Sequence, residues 1–183
     1  NHLGYNEHDS VLIAQLTNQR KATPARGGAA TPNDMYAVPN RRMATHVVSL
    51  PLVWETPLRT GNLRDPNGPQ VTFASESFID ELAVAAVADP VAFRLKLLTA
   101  STADDRGFKR ARSIAVIRAA AEKFGWEARP SPKARDAGEI LTGRGIAYAF
   151  RSETVVAQIA EVEVNRRTGH VWVKRFVCAH DCG

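Results

Sequence analysis

Two thiols and an imidazole stand at alternate positions in Cys178-Ala-His180-Asp-Cys182. On a strand, such residues share a face, and they would make three of the four ligands of a structural zinc site. Side chains spaced that way span roughly 13 Å end to end, too far to reach one ion unless the strand bends. The preferred reading is therefore a small buried thiol near a strand end, with zinc as the alternative. Basic residues gather at Arg20, Lys21, Arg26, Arg41 and Arg42, with Asp34 the one acid between them and Tyr36 the one aromatic. A platform on which bases could stack is missing there. Arg106, Lys109, Arg110, Arg112 and Arg118 read as the solvated side of a helix, so nucleic acid is not an expected partner. Gly143-Arg-Gly145 leads into a strand and does not form a phosphate-cradling loop. No Ser/His/Asp set can be argued from spacing.

The elements that must position these residues change period along the chain. A patch at Val11–Leu16 precedes a Gly/Ala/Thr/Pro loop at Lys21–Asn33, and His46–Trp54 predicts a strand interrupted at Pro51. Thr56–Gln70, with three prolines and two glycines, predicts a turn-built loop reaching residue 72. A helix is expected at Ser75–Ala88 with Phe78, Ile79, Leu82 and Ala85/Ala86 buried. Glu76, Asp80 and Glu81 would then lie near its N-terminus. Asp89-Pro90 reads as N-cap and first residue of a helix through Leu98. Asp104 or Asp105 would cap a helix to Phe124, with Ile114, Ile117, Ala121 and Phe124 buried and Gly125 as its stop. Strands follow at Gly143–Arg151, Val155–Val164 and His170–Ala179, the last two joined as a hairpin through Asn165–Gly169. Val162, Val164, Val171, Val173 and Val177 are expected to line one core face.

With 183 residues, 44% hydrophobic and 23% charged, the chain is one globular domain or a piece of a larger one. Two cysteines cannot build a disulfide scaffold, and no apolar run is long enough for a membrane span. The expected fold class is α+β: a helical middle segment with a C-terminal antiparallel β hairpin or sheet. Residues 1–45 form a loop-rich N-terminal segment and 46–183 a single structural unit. The start at Asn1 and the stop at Gly183, directly after a predicted strand, suggest a fragment.

Leu63-Arg-Asp-Pro-Asn-Gly-Pro-Gln70, then Phe73-Ala-Ser-Glu-Ser-Phe-Ile-Asp-Glu-Leu-Ala83 and Asp89-Pro-Val-Ala-Phe-Arg-Leu95, form an ordered set. Tyr36-Ala-Val-Pro-Asn40 precedes it. Gly143-Arg-Gly-Ile-Ala147, Ala160-Glu-Val-Glu-Val164, Thr168-Gly169, Val171-Trp-Val173 and Asp181-Cys-Gly183 follow. Across residues 34–183 this resembles the molybdopterin-binding large subunit of the xanthine dehydrogenase/aldehyde oxidase family. The bacterial isoquinoline 1-oxidoreductase and aldehyde dehydrogenase type is the nearest in character.

The resemblance implies hydroxylation of an aldehyde or N-heterocycle, with water as oxygen source and molybdenum accepting two electrons. It places Arg64 and Pro66 in the active-site wall, and Arg64, Gly68 and Gln70 near the cofactor, with no side chain ligating a metal. The backbone N–H at Arg64 would face a ligand of molybdenum, while its side chain either acts there or pairs with a nearby carboxylate. Many members carry a stacking Phe where this chain has Pro66, which points to a different or smaller substrate. Asp65 and Asn67 also depart from the small residues usual there. The cofactor implied for the full-length subunit is molybdopterin, in its cytosine dinucleotide form. The family's glycine-rich pterin segments and catalytic Glu are missing from these residues, so this chain alone is expected to be inactive and without cofactor. Implied partners are the remainder of the large subunit, an iron–sulfur subunit or domain, a flavin or cytochrome partner and a small-molecule substrate. The compartment is left open between bacterial cytoplasm and periplasm. A stand-alone, non-catalytic binding module of the same fold is the alternative.

Overall fold

The computed structural model describes residues 35–42, 44, 68–100, 110–134, 137–151 and 153–183. The chain divides into two compact units, Asn1–Pro32 with Arg41–Phe73 and Asn33–Asn40 with Ala74–Gly183. The expected features at Val11–Leu16, Lys21–Asn33 and His46–Trp54, and the caps at Asp104 or Asp105, lie outside the described residues.

Helix α1 spans Gly68–Ala85. It begins seven residues before the expected Ser75, because Pro69 sits where the first turn needs no N–H and where its fixed φ favours the helix. The expected loop through residue 72 is therefore helical from Gly68 onward. Glu76, Ile79 and Ala83 are buried, whereas Phe78 is 56% exposed, so the inward stripe is rotated from the expected one. Glu76 and Asp80 consequently lie mid-helix instead of in its first turn. The helix closes on Val87, whose φ of 51° is unusual for a β-branched residue.

Helix α2, Pro90–Thr99, starts as expected. Asp89 has extended φ/ψ, and its Oδ1 accepts the N–H groups of Val91 at 3.0 Å and Ala92 at 2.9 Å. Its inward stripe is Val91, Arg94 and Leu98. Helix α3, Arg110–Phe124, buries Ser113, Val116, Ile117, Ala120 and Phe124. It stops at Gly125, whose φ of 69° gives the left-handed turn that favours glycine after a helix.

Strands β1 (Ile140–Arg151), β2 (Thr154–Asn165) and β3 (Val171–Asp181) form an antiparallel sheet in the order β1-β2-β3. The α+β architecture is thus as expected. The β2–β3 turn is set by Asn165, whose Oδ1 accepts the N–H groups of Arg167 and Thr168, and by Gly169 at φ 71°.

A β-bulge in β3 decides which side chains reach the core. Glu161 pairs with Arg175 and Val162 with Val173, so Lys174 is an extra residue. One extra residue reverses the alternation of sides. Val177 and Ala179 therefore share a face with Val155, Ala157 and Ile159 of β2, and with Ile146, Tyr148 and Phe150 of β1. That face packs with α3 into the core. Val171 and Val173, opposite Val164 and Val162, fall on the other face and are 55% and 56% exposed. The expected single valine face is split by this bulge.

Candidate functional site

Of the residues the resemblance singled out, Arg64 and Pro66 lie outside the described residues, while Gly68 and Gln70 share the first turn of α1. The described residues do bring together a buried polar cluster that the hydrophobic pattern did not reveal. Arg94 of α2 is fully buried. Its Nε donates to Glu76 Oε2 at 2.9 Å and its Nη1 to Asp80 Oδ1 at 2.7 Å. Nη1 also reaches the carbonyl oxygen of Pro90, and Nη2 that of Glu76, both at 3.2 Å. Glu76 in turn accepts the Tyr36 hydroxyl at 3.0 Å and the Tyr148 N–H at 2.9 Å. Tyr148 and Ser113 share a 2.6 Å hydroxyl contact, and the Tyr36 and Tyr148 rings meet edge-on with centroids 5.6 Å apart.

Burial pushes the Glu76 carboxyl above its ordinary value, against the pull of Arg94 and the hydrogen bonds. It also raises the Tyr36 hydroxyl, with the negative charge of Glu76 adding to the effect. For Arg94, burial works toward a lower value, but Glu76, Tyr36 and Asp80 outweigh it, and the guanidinium stays charged. The Glu76 carboxylate thus receives donors from α2, β1 and the Tyr36 segment, a saturated arrangement suited to positioning rather than to reaction. Together with the bond from Ala37 N–H to the Leu97 carbonyl, 3.0 Å long, it fixes the Tyr36–Asn40 segment on the helices. A signal was present in the sequence: Glu76 falls three residues before Ile79, and Arg94 three after Val91, so opposite charges occupy two apolar stripes.

A second set holds the end of β3. Arg112 grips Asp181 with two bonds, Nε to Oδ2 at 2.8 Å and Nη2 to Oδ1 at 2.7 Å, and Nη2 also reaches the Glu153 carbonyl at 2.7 Å. The Arg112 guanidinium, aided by the Gly183 N–H, holds the Asp181 carboxyl down to about 2. A third centres on Asp89, whose Oδ2 accepts the Trp126 indole N–H at 2.9 Å and the Arg129 N–H at 3.0 Å.

The thiols are not buried, contrary to expectation: Cys178 and Cys182 are both exposed, Cys178 on the sheet face that the bulge turns away from α3. Cys182 Sγ lies 3.7 Å from His180 Nδ1, while Cys178 Sγ sits 3.8 Å from Gln158 Nε2. Among the described residues no group of three or more His, Cys, Asp or Glu side chains is placed to hold a metal ion. No described helix is long and apolar enough to cross a membrane.

Comparison with known proteins finds relatives over most of the chain. The chain is 39% identical over 138 residues to a nicotinate dehydrogenase subunit of Pseudomonas putida, covering 70% of this chain and 11% of that protein. It is 39% identical over 114 residues to the beta subunit of isoquinoline 1-oxidoreductase from Brevundimonas diminuta, covering 62% and 13%. Against the molybdenum-binding subunit of an aldehyde oxidoreductase from Escherichia coli, identity is 35% over 137 residues, covering 72% and 18%. This chain is homologous to the molybdenum-binding subunits of the xanthine dehydrogenase/aldehyde oxidase family. No protein-family model matches it. The matches to these three relatives span less than a fifth of each one's length.

Three of the segments on which the sequence resemblance rests meet in space. Tyr36 of Tyr-Ala-Val-Pro-Asn, Glu76 of Ala-Ser-Glu-Ser and Arg94 of Asp-Pro-Val-Ala-Phe-Arg form one hydrogen-bonded cluster. Asp89 opens α2, and Asp181 of Asp-Cys-Gly is clamped by Arg112.

Proposed function

We propose that the chain is part of the molybdenum-binding subunit of a molybdenum hydroxylase, oxidising an aldehyde or N-heterocycle with water as oxygen donor, and inactive in isolation. The observation that carries this reading is the identity, over about 70% of the chain, to subunits of enzymes named for aldehyde and N-heterocycle oxidation. When bound, the molybdenum cofactor, proposed in its molybdopterin cytosine dinucleotide form, supplies the two-electron oxidation. The chain's own part is a wall. Arg64 and Pro66 border the reacting centre, and Gly68 and Gln70 lie toward the cofactor. The first turn of α1 fits an anionic group: it carries no acidic side chain, and its leading N–H groups have no helical acceptor.

Proposed partners are the rest of the large chain, an iron–sulfur subunit or domain, and a flavin or cytochrome partner. Exposed Val171, Val173 and Phe176 on β3 support further protein packing there.

The test is to recover the native protein from its source with an antibody to this chain, then measure its mass and molybdenum content. A polypeptide several times heavier than 20.0 kDa carrying molybdenum is expected. A 20.0 kDa species without molybdenum would favour a stand-alone, non-catalytic module and remove the role of Arg64.

A further inference from the structure

A cavity of about 520 Å³ opens beside the start of β1, within the usual size range of small-molecule sites. Among the described residues that line it, Arg129, Lys133, Arg144 and Arg166 are cationic and none is acidic. Gathering like charges costs free energy that a bound anion would offset.

Several of these groups are held before any ligand arrives. The Arg144 guanidinium lies 4.3 Å from the centroid of the Trp126 ring and donates Nη2 to the Glu127 carbonyl. Its Nε is buried and has no hydrogen-bond partner. Asp89 Oδ2 anchors Trp126 and the backbone of Arg129 together, so the carboxylate that caps α2 also sets this wall. Also lining the cavity, Lys133 donates its Nζ to Thr142 Oγ1 at 2.6 Å. A guanidinium presents its donors in a flat fork that matches two oxygens of one oxyanion.

We propose that this cavity binds a phosphate group, with Arg144 and Arg129 as its principal partners. Leu141 and Pro132 would lie along whatever organic part the phosphate carries. The assignment stands apart from the molybdenum reading, since none of its residues is in the Arg64–Gln70 wall.

Calorimetric and tryptophan-fluorescence titrations of the full chain with inorganic phosphate and with AMP test it. Saturable one-to-one binding is expected, weakening with added salt. Arg144→Gln should lower affinity at least tenfold and Arg129→Gln severalfold, each with an unchanged circular dichroism spectrum. Arg144→Lys, which keeps the charge and loses the fork, should fall between wild type and Arg144→Gln. Arg118→Gln, exposed on α3 and outside the cavity, should leave affinity unchanged. Tighter binding of AMP supports a phosphate ester as ligand, and equal binding supports the free oxyanion. The proposal is overturned if neither probe saturates at millimolar concentration. Arg118→Gln weakening binding as much as Arg144→Gln would also overturn it, since that reports net charge alone. Should Arg144→Gln not fold, undiminished binding by Arg129→Gln overturns it instead.

Discussion

Replacing Arg94 by Met removes a buried cation of nearly the same volume as the apolar side chain that succeeds it. Wild-type Arg94 bonds to Glu76 Oε2, Asp80 Oδ1 and two backbone carbonyls, and none of its surface reaches water. In Arg94→Met the Glu76 carboxylate stays buried with only Tyr36 and the Tyr148 N–H as donors among these contacts. Breaking a buried pair by removing one partner costs about 3–5 kcal/mol, because the other charge is left uncompensated. Asp80 loses less, since its side chain is 45% exposed and water can replace the guanidinium. The Glu76 carboxyl is already raised by burial, and losing the cation raises it further. A carboxyl raised above its unfolded value contributes most below that value, and the contribution is lost as pH climbs through the folded one. The penalty should therefore be largest at neutral pH and shrink toward about pH 4.3, the ordinary glutamate value. Urea unfolding of the full chain, followed by circular dichroism at both pH values, measures it. Glu76→Leu combined with Arg94→Met should recover most of the loss, as buried pairs replaced by apolar residues often do. A neutral-pH cost under about 1 kcal/mol, that of one ordinary hydrogen bond, would refute the reasoning. So would a double variant no more stable than Arg94→Met.

Asp89→Ala should cost about 2–4 kcal/mol, from a lost N-cap and two further hydrogen bonds, and should shift Trp126 fluorescence. Loss of less than the cap alone in thermal unfolding would show that the Trp126 and Arg129 links contribute nothing. Val87→Gly should raise stability by about 1 kcal/mol in the same assay, since a left-handed β-branched residue is replaced by one that adopts this φ freely. Unchanged or lower stability would contradict that conformation. Because the Asp181 carboxyl is depressed, its stabilisation is present above the unfolded value of 3.8 and is lost as pH falls toward about 2. Its carboxyl carbon shift, followed by NMR, should titrate near 2 in wild type and return toward the usual aspartate range in Arg112→Gln. An unmoved midpoint would separate the shift from Arg112.

Local chemistry was legible along the chain where one residue governs its own neighbourhood. Asp89-Pro90 opens α2, Gly125 ends α3 and Asn165–Gly169 turns the hairpin, each by backbone geometry or a contact within a few positions. The core face of the sheet was not legible, because it depends on the extra Lys174. Nothing in Val171-Trp-Val-Lys-Arg-Phe-Val177 marks a bulge, yet it moves Val171 and Val173 to the opposite side from Val177. The same reversal leaves Cys178 exposed rather than buried.

The buried polar cluster was legible only as separate segments. Gly68 and Gln70 were singled out through a resemblance whose segments are separate along the chain, one around Tyr36, one around Glu76 and one around Arg94. In the fold these segments are one object. The Tyr36 hydroxyl bonds to a carboxylate 40 positions on, and that Glu76 carboxylate to the Arg94 guanidinium a further 18 away. A buried Glu without its Arg, or the Arg without its Glu, is a net cost, so the segments make physical sense only together. Periodicity misses such a cluster because it scores Glu and Arg as outward-facing, and ranks Phe78 inward in place of Glu76. The cluster also explains how the second unit holds the Tyr36–Asn40 segment, through the Tyr36 hydroxyl at one point and the Ala37 N–H at another.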